Sequence, residues 1–167
     1  MGRLRGAGER ITDVTLGPPP PSHPRPPQLP SPSLPFFVYG TLRPGGPNHD
    51  VFLRGRTSAE EPARLVGAVL YDGPGYPYAV EARQGVIQGE LMTPRPTEHD
   101  ALLAALDHLE VFTPGDSASL YERVQREVIR DTDGELIRAW VYLAAPRVAQ
   151  RLRTRGKLIE SGDWRKR

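Results

Sequence analysis

Two periods of apolar and polar positions organise the chain. Short continuous apolar runs bounded by glycine and proline read as strands at 36–39 (FFVY), 65–71 (LVGAVLY), 78–80 and 86–92 (VIQGELM). The period then changes. Leu102, Leu103, Leu106 and Leu109 fall on one face of a helix, which predicts a helix over 98–109. Thr97 and Asp100 form a capping arrangement ahead of it. Thr93-Pro94-Arg95-Pro96 breaks the sheet before that helix. Residues 48–54 are placed to open a shorter helix. Runs at 121–130 and 136–143, joined by Asp131-Thr132-Asp133-Gly134, read as an antiparallel hairpin. A final basic segment with Val148, Leu152 and Ile159 is partly helical in this reading, and Trp164 is expected to tuck the tail against the sheet. The pattern is rich in strands and lacks the strand–helix alternation of a doubly wound sheet, which predicts an α+β or small-barrel fold.

Composition narrows this picture. A chain of 167 residues holds one compact domain with a sizeable core. Ten of the 19 prolines fall between positions 18 and 35, where they disfavour both helix and central strand. Residues 1–33 are therefore expected to be a proline-rich, disordered or polyproline-like arm, and residues 34–167 the folded domain. There is no cysteine, so disulfides, cysteine metal sites and a cysteine nucleophile are excluded. No stretch approaches eighteen apolar residues, and the basic start MGRLRGAGER is not followed by an apolar core. The expected location is cytoplasmic, away from membranes. Formal net charge is +2, and acids and bases balance after residue 34. The basic run 147–167 has no interleaved aromatic ladder, so it reads as a solvated surface or carboxylate-facing rim rather than a nucleic-acid groove.

Candidate chemistry begins at FFVYGTLRPGGP, 36–47. Gly40 and Gly45 have phosphate-loop spacing, but glycine and proline stand where the loop needs lysine and a hydroxyl. What remains is either a plain strand-to-loop turn or a loop whose amides meet a small anion. No G-x-S-x-G is present, and His23, His49, His99 and His108 form no metal-ligand pattern. Among the acids, Glu110 follows the helix leucines and borders Val111 and Phe112. It is either surface charge at a helix end or a desolvated acid whose pKa rises into a useful range. Glu90, inside a strand, is a second candidate. Tyr121 and Arg123 share one strand face by alternation.

These separated features together resemble the gamma-glutamylcyclotransferase-like, or AIG2-like, family. Val38-Tyr39-Gly40-Thr41-Leu42 resembles its Y-G-[ST]-L loop, Gly75-Tyr76-Pro77 its G-x-P turn, and Leu106-Asp107-His108-Leu109-Glu110 its L-D-x-x-E helix end. The strand 86–90, Tyr121-Glu122-Arg123, Trp140-Val141-Tyr142 and Gly162-Asp163-Trp164 resemble its later landmarks. The resemblance spans 36–164. It implies a small mixed β-barrel with flanking helices. It also implies cofactor-independent release of 5-oxoproline and an amine or amino acid from a small gamma-glutamyl substrate. Glu110 matches the family's catalytic acid–base. Tyr39, Gly40, Thr41 and Leu42 match the substrate-holding loop, with Tyr121 and Arg123 as further substrate contacts and the segment 112–119 shaping the leaving-group side. The implied partner is the small-molecule substrate, without metal, nucleic acid or membrane, and the chain would act as a monomer or homodimer. The alternative is a small-molecule binding domain on the same fold that performs no turnover.

Overall fold

The computed structural model describes residues 33–167. All of the expected proline-rich arm except its last position lies outside the described residues. In chain order the elements are β1 (Phe36–Val38), α1 (His49–Phe52), β2 (Thr57–Asp72), β3 (Tyr78–Pro94), α2 (His99–Leu109), β4 (Tyr121–Arg130), β5 (Leu136–Ala144), α3 (Pro146–Arg155) and β6 (Lys157–Ile159). A 3-10 turn at Trp164–Lys166 follows.

Five strands run β3-β1-β5-β4-β2, and β2 pairs with β3 again, which closes the ring. Strand β6 adds to β2. Every pairing is antiparallel except β1 with β5. The fold is thus a small mixed β-barrel with flanking helices, in the α+β class the sequence predicts. Closure removes the exposed sheet edges that an open sheet of this size would carry.

Strand alternation divides the apolar side chains between two clusters. Phe36 and Val38 join Leu102 and Leu106 of α2 and Val148 of α3. Phe37 and Tyr39 join Leu91, Val141, Leu143 and Trp164. Leu102 and Leu106 are completely buried, each worth about 1.5–3 kcal/mol of transfer free energy, and they fix the position of the α2 C-terminus. Trp164 is buried as expected.

Three sequence expectations change. Strand β2 starts at Thr57 rather than near 65. Its first half, TSAEEPAR, alternates half-buried and exposed positions and carries few apolar residues to mark it. The runs at 78–80 and 86–92 belong to one strand. Pairing steps from Val66↔Val86 to Ala68↔Glu81, so residues 82–85 loop out as a bulge. Gly67, at φ +90°, supplies the conformation that the bulge needs on β2. Finally, α2 has Glu98 at its N-cap and no side-chain cap bond. The Glu98 carboxylate instead accepts from Arg56 Nε at 2.9 Å.

Candidate active site

A cavity of about 370 Å³ opens where several elements end, a volume suited to a small ligand. The Tyr39–Leu42 loop after β1 forms one wall, and Gly75-Tyr76-Pro77 between β2 and β3 faces it. Leu109, Glu110 and Val111 at the end of α2, Leu120 and Tyr121 near the start of β4, and Tyr142 of β5 also line it, with Phe37, Val38, Pro47 and Asn48.

The loop folds into a tight turn, with Arg43 N donating to Gly40 O at 3.1 Å and Asn48 N to Thr41 O at 3.0 Å. Asn48 Nδ2 also donates to Thr41 Oγ1 at 2.8 Å. Among the described residues, neither Thr41 N nor Leu42 N donates to a backbone carbonyl. Both residues line the cavity, where unpaired amides of a turn are suited to an anion. Gly40 is required by proximity: a Cβ there would stand 2.7 Å from Pro77 Cδ. The facing turn is held in place by Tyr121, whose hydroxyl donates to Pro77 O at 2.8 Å.

Glu110 is the C-cap of α2. Phe112 N donates to Asp107 O at 2.9 Å and Val111 N to His108 O at 3.2 Å, the paired bonds of a Schellman motif. That motif demands a left-handed residue at position 111. Here it is Val111, at φ 51°, where glycine is the usual occupant. A β-branched side chain in this region is strained, and the strain sits beside the carboxylate that the motif aims into the cavity. Burial pushes the Glu110 pKa up from 4.5 to about 7. Desolvation causes the shift, and no cation among the described residues compensates it. Burial also raises the phenol pKa values of Tyr39, Tyr121 and Tyr142, and the Glu110 charge adds in the same direction for all three.

Asp107, one turn earlier, has a different environment. Its Oδ1 accepts from Tyr142 OH at 2.6 Å and lies 2.9 Å from Arg123 Nε. The angle at Arg123 does not make that approach a hydrogen bond, so Nε and Nη1 are buried without acceptors among the described residues. The guanidinium lies 4.5 Å above the Trp140 ring, with Phe112 beyond it at 5.7 Å. Arg123, expected as a further substrate contact, packs against Asp107 and two rings and is not among the residues lining the cavity. The segment 112–119 also moves away from its expected place, since only its neighbours Val111 and Leu120 line the cavity. Leu120 N closes that loop by donating to Val111 O at 3.2 Å.

Glu90 is the other correction. Its carboxylate is buried and gripped by Arg43, Nε to Oε2 at 2.7 Å and Nη2 to Oε1 at 3.0 Å. It does not face the cavity. Arg43 itself went unnoticed in the sequence, where an arginine after a glycine turn reads as solvated. Of the histidines, His99 stacks on Phe36 and its Nε2 lies 3.1 Å from Leu34 O. His49 pairs with Glu60 at 2.8 Å, and His108 is exposed. Among the described residues no group of three or more His, Asp or Glu side chains is arranged to hold a metal, and no helix is long and apolar enough to cross a membrane.

The barrel is thus a closed mixed sheet whose small cavity is lined by the Tyr39–Leu42 loop and by Glu110 at the end of α2. The family model described as gamma-glutamyl cyclotransferase, AIG2-like matches residues 36–166, and the chain belongs to that family. A gamma-L-glutamyl-butirosin B gamma-glutamyl cyclotransferase from Niallia circulans is 32% identical over 109 residues, covering 65% of each chain. The chain thus spans just under two thirds of that relative. A Vibrio cholerae protein with the provisional name gamma-glutamylcyclotransferase is 34% identical over 128 residues, 77% of this chain and 92% of that protein. Among solved structures, the ytfP protein of Escherichia coli is similar at a TM-score of 0.54 and 27% identity, covering 78% of this chain and 96% of that one.

Proposed function

We propose that the protein is a gamma-glutamyl cyclotransferase in which Glu110 moves the protons and the Tyr39–Leu42 loop holds the substrate. One observation carries this reading. Glu110 and the Tyr39–Leu42 loop line one cavity, and the Glu110 pKa of about 7 suits a group that both accepts and donates protons near neutrality.

The substrate's alpha-amine attacks the carbonyl of its own gamma-amide, and a five-membered lactam forms as the amide C–N bond breaks. Glu110 takes a proton from the attacking ammonium and returns one to the departing nitrogen. The ammonium gives up two protons in becoming a lactam N–H, and the released amine takes up two in leaving as an ammonium ion. The carboxyl therefore ends the cycle as it began. Because the attack is intramolecular, the site's main task is to hold the chain in a ring-like pose. The amides of Thr41 and Leu42 are placed to receive the developing oxyanion or the substrate carboxylate.

Charge around the cavity favours one class of leaving group. Among the described lining residues there is no lysine or arginine. A leaving group with its own carboxylate would find no cation there and would face Glu110. Gamma-glutamyl amines are therefore favoured over gamma-glutamyl amino acids. A matched panel of both classes, with 5-oxoproline measured as product, tests this. Turnover of the amines expresses the reading. No product from any member, with ligand binding retained, would leave a binding domain in place of an enzyme.

A further inference from the structure

On the side of the loop away from the cavity, a cluster of four charged side chains has no part in the chemistry above. Arg43 is 6% exposed, Glu90 7% and Asp163 9%. Arg43 reaches Glu90 through Nε and Nη2 and Asp163 Oδ1 through Nη1, the last at 2.7 Å. Arg165 Nη1 lies 3.5 Å from Glu90 Oε1, which brings two arginines against two carboxylates. Arg165 also donates through Nη2 to Pro44 O, on the loop itself.

Each partner arrives from a different part of the chain, and each is independently fixed. Glu90 sits in β3, paired with Val38 of β1. Asp163 is delivered by the C-terminal segment. There Gly162 adopts φ +68° so close to β3 that a Cβ would lie 2.0 Å from Val86 O, and its carbonyl accepts from Gln88 N at 2.8 Å. The Asp163 carboxylate also accepts from Arg165 N at 2.9 Å. Burial works to raise the Asp163 pKa, but the Arg165 amide and the Arg43 guanidinium outweigh it and hold Asp163 below the usual carboxylate range.

Arg43 immediately follows Leu42. Residues Tyr39–Leu42 of the loop line the cavity, and Arg43 is pinned by a bidentate fork and a third bond. A turn containing Gly40, Gly45 and Gly46 has many backbone conformations available, and only a narrow set aims Thr41 N and Leu42 N at one oxygen.

We propose that Arg43, held by Glu90 and Asp163, is a positioning residue that fixes the substrate-holding loop before substrate arrives, so that the C-terminal segment is a working part of the site. This rests on the cyclotransferase reading, and the test keeps the two separable. Arg43→Lys replaces a rigid fork with a point charge that does not reproduce the bidentate grip on Glu90 together with the bond to Asp163. Asp163→Asn keeps the shape, removes one charge and serves if the lysine variant folds poorly.

Two quantities are read on the full chain: amide hydrogen exchange in the peptide spanning residues 40–48, and kcat/KM with pH for a gamma-glutamyl amine. Exchange in that peptide is expected to quicken about tenfold while β4 and β5 stay protected. The corresponding kcat/KM is expected to fall about 10- to 100-fold, the scale of a 1 Å misplacement, with the Glu110 inflection unmoved. Unchanged loop exchange, kcat/KM within twofold of the parent, or faster exchange throughout the barrel would each overturn the proposal. If the parent turns over no gamma-glutamyl compound while loop exchange still quickens locally, the clamp stands and the enzymatic reading fails.

Discussion

Replacing Glu110 with glutamine should stabilise the protein, and only above the pH where an ordinary carboxyl ionises. The Glu110 pKa stands at about 7 in the folded chain against 4.5 for an unperturbed group. Between these values the folded state binds the proton more tightly than the unfolded state does. Stability is therefore full below pH 4.5 and falls as pH rises through 7. At about 1.4 kcal/mol for each pH unit between the two values, ionising Glu110 costs the fold about 3 kcal/mol by pH 8. Glutamine keeps the shape and cannot ionise, so the variant escapes this cost. Urea unfolding of parent and variant, followed by the fluorescence of Trp140 and Trp164, gives the difference directly. Taking the difference at each pH cancels every other titrating group. The expected gain is near zero at pH 4 and about 3 kcal/mol at pH 8, or roughly 10 °C in Tm. A gain that does not vary with pH would refute the claim that Glu110 is desolvated and unpaired. A loss that grows with pH would mean a cation holds it.

The same pKa sets an activity profile: kcat/KM for a gamma-glutamyl amine should rise with pH through an inflection near 7, as Glu110 becomes the base. An acid limb near 4.5 would contradict it. Val111→Gly should relieve the left-handed strain at φ 51° and add about 1 kcal/mol of stability, read as a higher Tm. An unchanged or lower Tm would count against stored strain at the α2 end. Gly40→Ala should lower kcat/KM about tenfold or more, because the new methyl meets the Pro77 ring at 2.7 Å and that turn is tied to Tyr121. Retained activity would show that the two cavity walls yield freely.

Much of the barrel was legible because its strands carry their own markers. Strand β4 occupies the predicted 121–130, and α2 begins within one residue of its predicted start, since four leucines at helical spacing leave little choice. The first half of β2 was not legible. Its residues gain their place from pairing with β3, and Pro62 argues locally against a strand. The stretch 82–85 marks a bulge in a continuous strand, a distinction that depends on the partner's register. For the site, an acid at the end of an apolar helix marked Glu110, but desolvation and the strained Schellman turn exist only in three dimensions. Two arginines show the limit most clearly. Arg123 shares a face with Tyr121, as period-two alternation requires, yet its guanidinium packs on Trp140 beside Asp107 instead of lining the cavity. Arg43 gave no local signal, because Glu90 and Asp163 lie 47 and 120 residues away.

The central claim is that Glu110 transfers protons during lactam formation. Release of 5-oxoproline from the best gamma-glutamyl amine, measured at pH 7.5 for the parent and for Glu110→Gln after both are shown to be folded, tests it most directly. The account predicts a loss of about 10²- to 10⁴-fold in kcat, the usual contribution of a positioned acid–base group. A variant that releases 5-oxoproline at a rate near the parent's would contradict it.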